Sequence, residues 1–381
     1  MIEVAKRLHT VEEYYFSKKL REVGLLIANG KPVINLGIGS PDLQPPQKVV
    51  DAISNSLGDA TAHKYQSYQG LPELREAMSS FYKEHFSVAV NAANEILPLM
   101  GSKEGIMHIS MAYLNAGDEV LIPNPGYPTY QSVTKLVGAK IVTYDLDAST
   151  NWMPNIETLE QRDLSKVKLM WVNYPHMPTG ATPTETVFEE LVAFAKRHNI
   201  LIVNDNPYSF VLNDNPTSIL SVAGAKDVCL ELNSLSKTFN MAGWRVGMLL
   251  GNSAHISNVL KVKSNMDSGM FYGIQKGAIE ALKCSKMWFV TLNSVYKKRR
   301  DLVWQLAEAL NCTYDKNATG MFVWAKLPAY LESEAFIDLV LKEHYIFITP
   351  GTIFGSQGEG YIRFSLCASE EIIEEAIARV K

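Results

Sequence analysis

Residues 233–247, NSLSKTFNMAGWRVG, place hydroxyls, one lysine, a glycine and an arginine directly after an apolar run. Few structural roles need that combination. A lysine that attacks an aldehyde to form a Schiff base must first lose its proton, and a cationic neighbour or a desolvated pocket lowers its pKa enough to allow this. Lys237 is the candidate amine. Arg245, further along the same stretch, can supply charge while gripping a phosphate with its planar fork, and Ser234 and Ser236 can add hydroxyl contacts. Taken alone, such a lysine is more often a solvated loop residue. Three other groups could join it. Gly101-Ser102-Lys103 opens an apolar helical stretch, where backbone N–H groups form a phosphate cradle or merely a cap. Asp205 and Tyr208 follow the apolar run 200–204, a place where an aspartate ordinarily serves a turn. Arg363, in GYIRFS, either captures a carboxylate bidentately or lays its stem over apolar surface.

The elements that must position these residues follow from periodicity. From about 45 to 285, β-branched runs (119–123, 140–144, 167–173, 200–204 and 228–233) alternate with helical patterns such as 184–198. That rhythm implies an α/β fold with a mostly parallel sheet sandwiched by helices, in which ligands gather at the carboxyl ends of the strands. From about 290 the pattern changes to a charged helix, strands near 322–326, 345–349 and 361–366, and two more helices, a smaller α+β unit. The expected division is a large domain over 45–285 and a small domain made of 1–44 with 286–381.

Composition narrows the function classes. The chain has 381 residues, 47% of them hydrophobic, enough for a large core. With 36 basic and 40 acidic residues the formal charge is −4, which leaves no broad positive surface for nucleic acid or anionic membrane. Cys229, Cys284, Cys312 and Cys367 are scattered, so neither a metal site nor a disulfide framework is expected, and a reducing cytoplasm fits. No apolar run approaches the roughly 20 residues that span a bilayer, and the first residues carry no leader pattern.

The lysine segment closely resembles the signature of the class I and II aminotransferases, the fold type I enzymes that use pyridoxal 5'-phosphate (PLP), and other motifs of that family follow in order over nearly the whole chain. The resemblance implies that Lys237 carries the cofactor and later moves a proton at the substrate. By the same likeness Asp205, in an Asp-x-x-Tyr element, holds the ring nitrogen protonated so that the ring can withdraw electrons, and Tyr208 donates to the ring 3'-oxygen. Gly101, Ser102, Lys103, Ser234, Ser236 and Arg245 would bind the phosphate, and Tyr127 of PNPGYPTY would stack on the ring. Tyr65 resembles the tyrosine that reaches the phosphate of a neighbouring subunit, which implies a homodimer with shared sites. Arg363 matches the element that clamps the α-carboxylate. Gly39, in NLGIGSPD, matches a glycine that lets that carboxylate approach the backbone; the run lacks the third glycine of a dinucleotide loop.

One departure stands out. Where the family carries an asparagine before Pro-Thr-Gly, residues 173–180 read NYPHMPTG, and the Met177 thioether cannot donate the expected hydrogen bond. Tyr208 alone, or His176 or Asn173 from a shifted turn, would then hold the 3'-oxygen. Residues 263–269 are similar to the LL-diaminopimelate aminotransferase-like subgroup, and Lys261, Lys263 or Asn265 either meets a distal polar group of the donor or begins an exposed helix. The reaction implied is ping-pong transfer of an amino group from an L-amino acid to a 2-oxo acid, 2-oxoglutarate by resemblance. The alternatives are a lyase of the same fold and, last, a non-enzymatic PLP-binding protein.

Overall fold

The structure, a computed structural model, describes residues 2–11, 13 and 15–381, apart from the side chain of Phe16. In chain order the strands are β1 (Ile34–Asn35), β2 (Ile96–Leu99), β3 (Glu119–Asn124), β4 (Lys140–Asp145), β5 (Val167–Val172), β6 (Leu201–Asp205), β7 (Cys229–Ser234) and β8 (Gly247–Leu250). They continue with β9 (Thr313–Tyr314), β10 (Phe322–Lys326), β11 (Ile346–Phe347), β12 (Thr349–Pro350) and β13 (Tyr361–Ser365). Seven of them form one sheet in the order β2-β8-β7-β6-β5-β3-β4. β3 to β7 run parallel and β8 is antiparallel to both of its neighbours, so the sheet is mixed and mostly parallel as expected.

All five strands expected from the alternating pattern are present. β2 and β8 were not marked by it, for a local reason. β2 is only ILPL, with a proline inside, and β8 is GMLL, whose opening glycine belongs to the lysine segment. β6 and β7 are buried at every position, which is why they read as continuous apolar runs rather than alternating ones. Their polar members are paired: Asn204 donates to Glu231, which also accepts from Tyr82 and Ser218.

The helices cover this sheet with one apolar face each. Glu185–His198 starts where the Thr184 hydroxyl accepts from the Val187 N–H and ends at Asn199 in the left-handed region. It buries Phe188, Leu191 and Phe194. Truncating Phe188 to alanine there would cost about 3–5 kcal/mol through the cavity left behind.

The second sheet has the order β12-β13-β10-β9 and is antiparallel throughout. It is flanked by Lys286–Ala309, Ser333–His344 and Glu370–Val380. The N-terminal part packs beside it: β1 and β11 form a separate parallel two-stranded sheet, and Asp42 receives two N–H groups of Arg299 at 2.7 and 2.8 Å. Arg299 also donates to the Leu366 carbonyl, so residues 36–42 are pinned from below. None of the described helices is long and apolar enough to cross a membrane.

Candidate active site

A cavity of about 610 Å³ opens beyond the carboxyl ends of the parallel strands. Ser102, Lys103, Tyr127, Asn173, Asp205, Tyr208, Ser234, Ser236, Lys237 and Arg245 line it, and so do Gly39 and Arg363 from the other body of the chain. Twelve of the expected residues are thus brought together. Gly101 stands directly behind them as the N-cap of Ser102–Tyr113. Tyr65 is apart, 92% exposed on the outside of the chain and not in the cavity wall.

Lys237 lies on the single helical turn Leu235–Thr238 that follows β7. Ser234 caps this turn by accepting from the Ser236 N–H, and the two serine oxygens are 2.8 Å apart. The turn delivers the lysine stem through protein into the cavity, where its ammonium group donates to the Gly39 carbonyl. Burial, aided by the charges of Arg363 and Arg245, pushes the amine down to about 8, near the range in which it can shed its proton. Gly39 has to be a glycine: a Cβ there would lie 2.3 Å from the Phe322 ring.

Asp205 ends β6 and is buried. One carboxylate oxygen accepts from the Tyr130 hydroxyl at 2.9 Å, and the other, Oδ1, has no partner among the described residues. Burial lifts this carboxyl to about 7. A buried acceptor left open is costly unless a donor arrives, and a protonated ring nitrogen is such a donor. Tyr130 was not singled out from sequence. Its signal was slight, a second aromatic three residues after Tyr127, and its ring is stacked on Trp171 with centroids 4.9 Å apart. Tyr208 packs edge-on against Phe322, and burial pushes its phenol well above the ordinary value, so it remains a donor.

At the other end of the cavity floor, Gly101 has φ +88, and a Cβ at that residue would fall 2.0 Å from a guanidinium nitrogen of Arg245. Arg245 itself adopts the left-handed conformation with φ 54 and is held by the Ala242 carbonyl at 2.9 Å. The helix N-terminus, Ser102, Lys103, Ser234, Ser236 and Arg245 therefore converge on one place with hydroxyls, positive charge and N–H groups, a site for a phosphate. Both tests, the open Asp205 oxygen and the glycine-lined cradle, fit pyridoxal 5'-phosphate.

Asn173 uses its side chain on the backbone, donating to the Asp205 carbonyl and accepting from the Met177 N–H. His176 is buried outside the cavity wall, bonds Thr179 at 2.8 Å and is pushed down to about 3 by burial. It is a neutral turn histidine. Met177 does line the cavity, and its sulfur accepts an N–H of Arg363 at 3.3 Å. Arg363 also donates to the Gly37 carbonyl at 2.7 Å, and its guanidinium lies 3.9 Å from the Phe322 centroid and 4.8 Å from that of Phe354. Phe322, Ile38 and Leu20 also line the cavity and were not foreseen. Lys261, Lys263 and Asn265 do not reach the cavity: Lys263 is fully buried and paired with Asp267 at 2.6 Å. Glu104, His108 and Asp267 bring metal-type ligand atoms within 4.8 Å of one another, but Lys263 already neutralises Asp267, and Glu104 is engaged by His108 and the Met100 N–H.

Comparison with known proteins agrees in every direction. The family model for aminotransferase class I and II matches residues 31–380. The LL-diaminopimelate aminotransferase of Maridesulfovibrio salexigens is 39% identical over 99% of this chain and 98% of its own, and that of Aquifex aeolicus is 38% identical over 100% and 99%. Among solved structures, substrate-bound BacF from Bacillus subtilis superposes with a TM-score of 0.96 at 33% identity, covering 100% of this chain and 97% of its own. A Thermus thermophilus aspartate aminotransferase mutant gives 0.92 at 25% identity, covering 100% and 99%.

Proposed function

The chain belongs to the class I and II aminotransferases and is a pyridoxal 5'-phosphate-dependent enzyme, and we propose that it moves an amino group from an L-amino acid to 2-oxoglutarate using the residues gathered in this cavity. The observation that supports this assignment of roles most strongly is the pairing, in one cavity, of a buried amine near neutrality with a buried carboxylate that keeps one oxygen open. Bound there, the cofactor supplies a carbonyl that takes up and returns the amino group and a ring that draws electrons from the substrate Cα. The chain supplies the rest. Asp205 holds a proton at the ring nitrogen. Tyr208 donates to the ring oxygen. The N-terminus of Ser102–Tyr113, with Gly101, Lys103, Ser234, Ser236 and Arg245, fixes the phosphate, and Tyr127 and Asn173 bound the ring. Arg363 grips the α-carboxylate beside Gly39. Lys237, neutral above about pH 8, takes the proton from Cα and gives it back on the other side of the transfer.

The division into a cofactor-binding domain over 45–285 and a small domain of 1–44 with 286–381 belongs to this reading, since the cavity receives residues from both. So does a homodimer in the cytoplasm. Tyr65, Tyr68, Met266 and Phe271 are exposed on the neighbouring segments 64–70 and 263–271, an aromatic patch suited to a second copy, and the four cysteines are free thiols. Sedimentation of the loaded protein tests the dimer; an active monomer would contradict it.

The decisive experiment mixes the loaded protein with single L-amino acids in the absence of any 2-oxo acid. The visible band of the bound cofactor should disappear and one equivalent of the matching 2-oxo acid should form, with the band restored by 2-oxoglutarate. Release of ammonia with continued turnover would point to a lyase instead. LL-diaminopimelate, the substrate named for the relatives, belongs in that panel.

A further inference from the structure

Four titratable side chains are packed together behind the phosphate cradle, and the reading above gives them no task. Glu104 and His108 stand four residues apart on the first turns of Ser102–Tyr113 and so share one face of that helix. Lys263 ends the helix Ser253–Lys263, and Asp267 follows four residues later. Side-chain oxygens of Glu104 and Asp267 and a ring nitrogen of His108 lie within 4.8 Å of one another, and Lys263 Nζ is 2.6 Å from Asp267. The side chains of His108, Asp267 and Lys263 are only 3%, 7% and 0% exposed, too deep in their own chain for a second copy to reach. Drawing such groups away from water is costly unless they bond one another, so their mutual arrangement is tightly set.

What the cluster holds is the mouth of the helix. The N-cap, Gly101, has no side chain with which to cap, and its φ of +88 is a conformation that glycine takes far more readily than other residues. Glu104 fixes the approach to the helix instead. From the third helical position it reaches back and accepts from the Met100 N–H at 3.0 Å, much as the acid of a capping box does. Its other oxygen is 2.8 Å from His108 Nε2. The chain before the cradle is thereby tied down without using the first N–H groups of the helix, which a bound anion needs. From the neighbouring segment Lys263 and Asp267 close the cluster, and Asp267 accepts from the Gly269 N–H at 2.8 Å. We propose that Glu104, His108, Asp267 and Lys263 are positioning residues for the cofactor phosphate, a role that rests on the reading of the cavity given above. Lys263, one of the residues that the sequence offered as a contact to the donor, then acts on the cofactor, through Glu104.

The test separates the phosphate from the ring. Unloaded protein is titrated with pyridoxal 5'-phosphate and with pyridoxal, which lacks the phosphate, and the visible band gives a dissociation constant for each. Glu104→Ala should weaken binding of the phosphorylated ligand about 10-fold, the effect of losing one hydrogen bond to a charged group, while the constant for pyridoxal stays within about twofold of the parent value. Glu104→Gln, which keeps an oxygen for the Met100 N–H, should restore most of the preference. The paired change Lys263→Met with Asp267→Asn removes the buried ion pair without leaving either charge alone, and it should lower the same preference from the far side of the cluster. If Glu104→Ala does not fold, the paired change and Glu104→Gln carry the test. Equal weakening of both ligands, or a preference unchanged in Glu104→Ala and in the paired variant, would overturn the proposal and leave the aminotransferase reading intact. A parent protein that binds pyridoxal as tightly as its phosphate would instead strike the phosphate site itself, and the assignment of roles with it.

Discussion

One wall of the cavity rises from the large sheet and the other from the small one, and they differ in chemistry as much as in origin. The large-sheet wall holds Asn173, Asp205, Ser234, Ser236, Lys237 and Arg245, each within a few residues of a strand end. It is polar, and its two reactive groups are pushed toward neutrality from opposite sides, the amine down to about 8 and the carboxyl up to about 7. The described residues of the facing wall are apolar apart from Ser17 and one arginine clasped between Phe322 and Phe354. Its pieces come from four separate stretches of chain, near 20, 38, 322 and 354–363. The contrast suggests a division of labour: one wall serves a chemistry common to every substrate, and the other decides which substrate enters.

Substitutions on the two walls should therefore fail differently. Lys237→Ala is expected to lower the rate of the half-reaction by about 10⁴-fold with every donor, the upper range for a positioned acid–base group. In the parent protein, uptake of the cofactor by the unloaded chain should speed up with pH and level off above about 8, because only the neutral amine attacks the carbonyl. A donor-selective loss on Lys237→Ala would break the comparison.

Asp205 offers the next largest effect. Its carboxyl rises from 3.8 to about 7 on folding without a cofactor, so between those values the folded chain binds the extra proton and its stability falls as pH rises. That loss amounts to about 4 kcal/mol at 1.36 kcal/mol per pH unit. Asp205→Asn should flatten the decline in the unloaded protein, as followed by denaturant titration from pH 4 to 7.5, and weaken cofactor binding. An unchanged pH dependence would show that another group carries it.

On the facing wall, Arg363→Ala should raise KM about 100-fold for all donors, in line with the loss of a buried charge partner, with a smaller change in kcat. An unaltered KM would remove Arg363 from the carboxylate role. The smallest effect belongs to Met177→Asn. Restoring an amide donor beside the ring oxygen, a bond of about 1 kcal/mol, should lower the pH at which the visible band changes by about one unit. Identical titrations of the two proteins would show that the thioether costs nothing there.

The same contrast explains what could be read without a structure. Lys237, Asp205, Tyr208 and Arg245 were legible because they sit in short local patterns at the ends of apolar runs, and a strand end fixes where such residues must point. Gly39 and Arg363 were legible only through family motifs, since nothing in their own stretches says that Gly37 and Arg363, 326 positions apart in sequence, meet through a hydrogen bond. Tyr130 escaped because the partner that gives it meaning, Asp205, is 75 residues away. Tyr65 shows the converse: its motif is readable, yet in the single chain it faces outward, and only a second copy would give it a phosphate to reach.

Sequence by itself determined the mostly parallel sheet and the candidate residues that stand at its strand ends, because strand periodicity and the polar residues that end each strand are local properties of the chain. Tertiary structure alone decided the rest: the depressed amine, the open oxygen of Asp205, the thioether against Arg363 and the apolar far wall. Each of these arises from burial or from contact between distant segments, and desolvation and packing exist only once the chain has closed on itself.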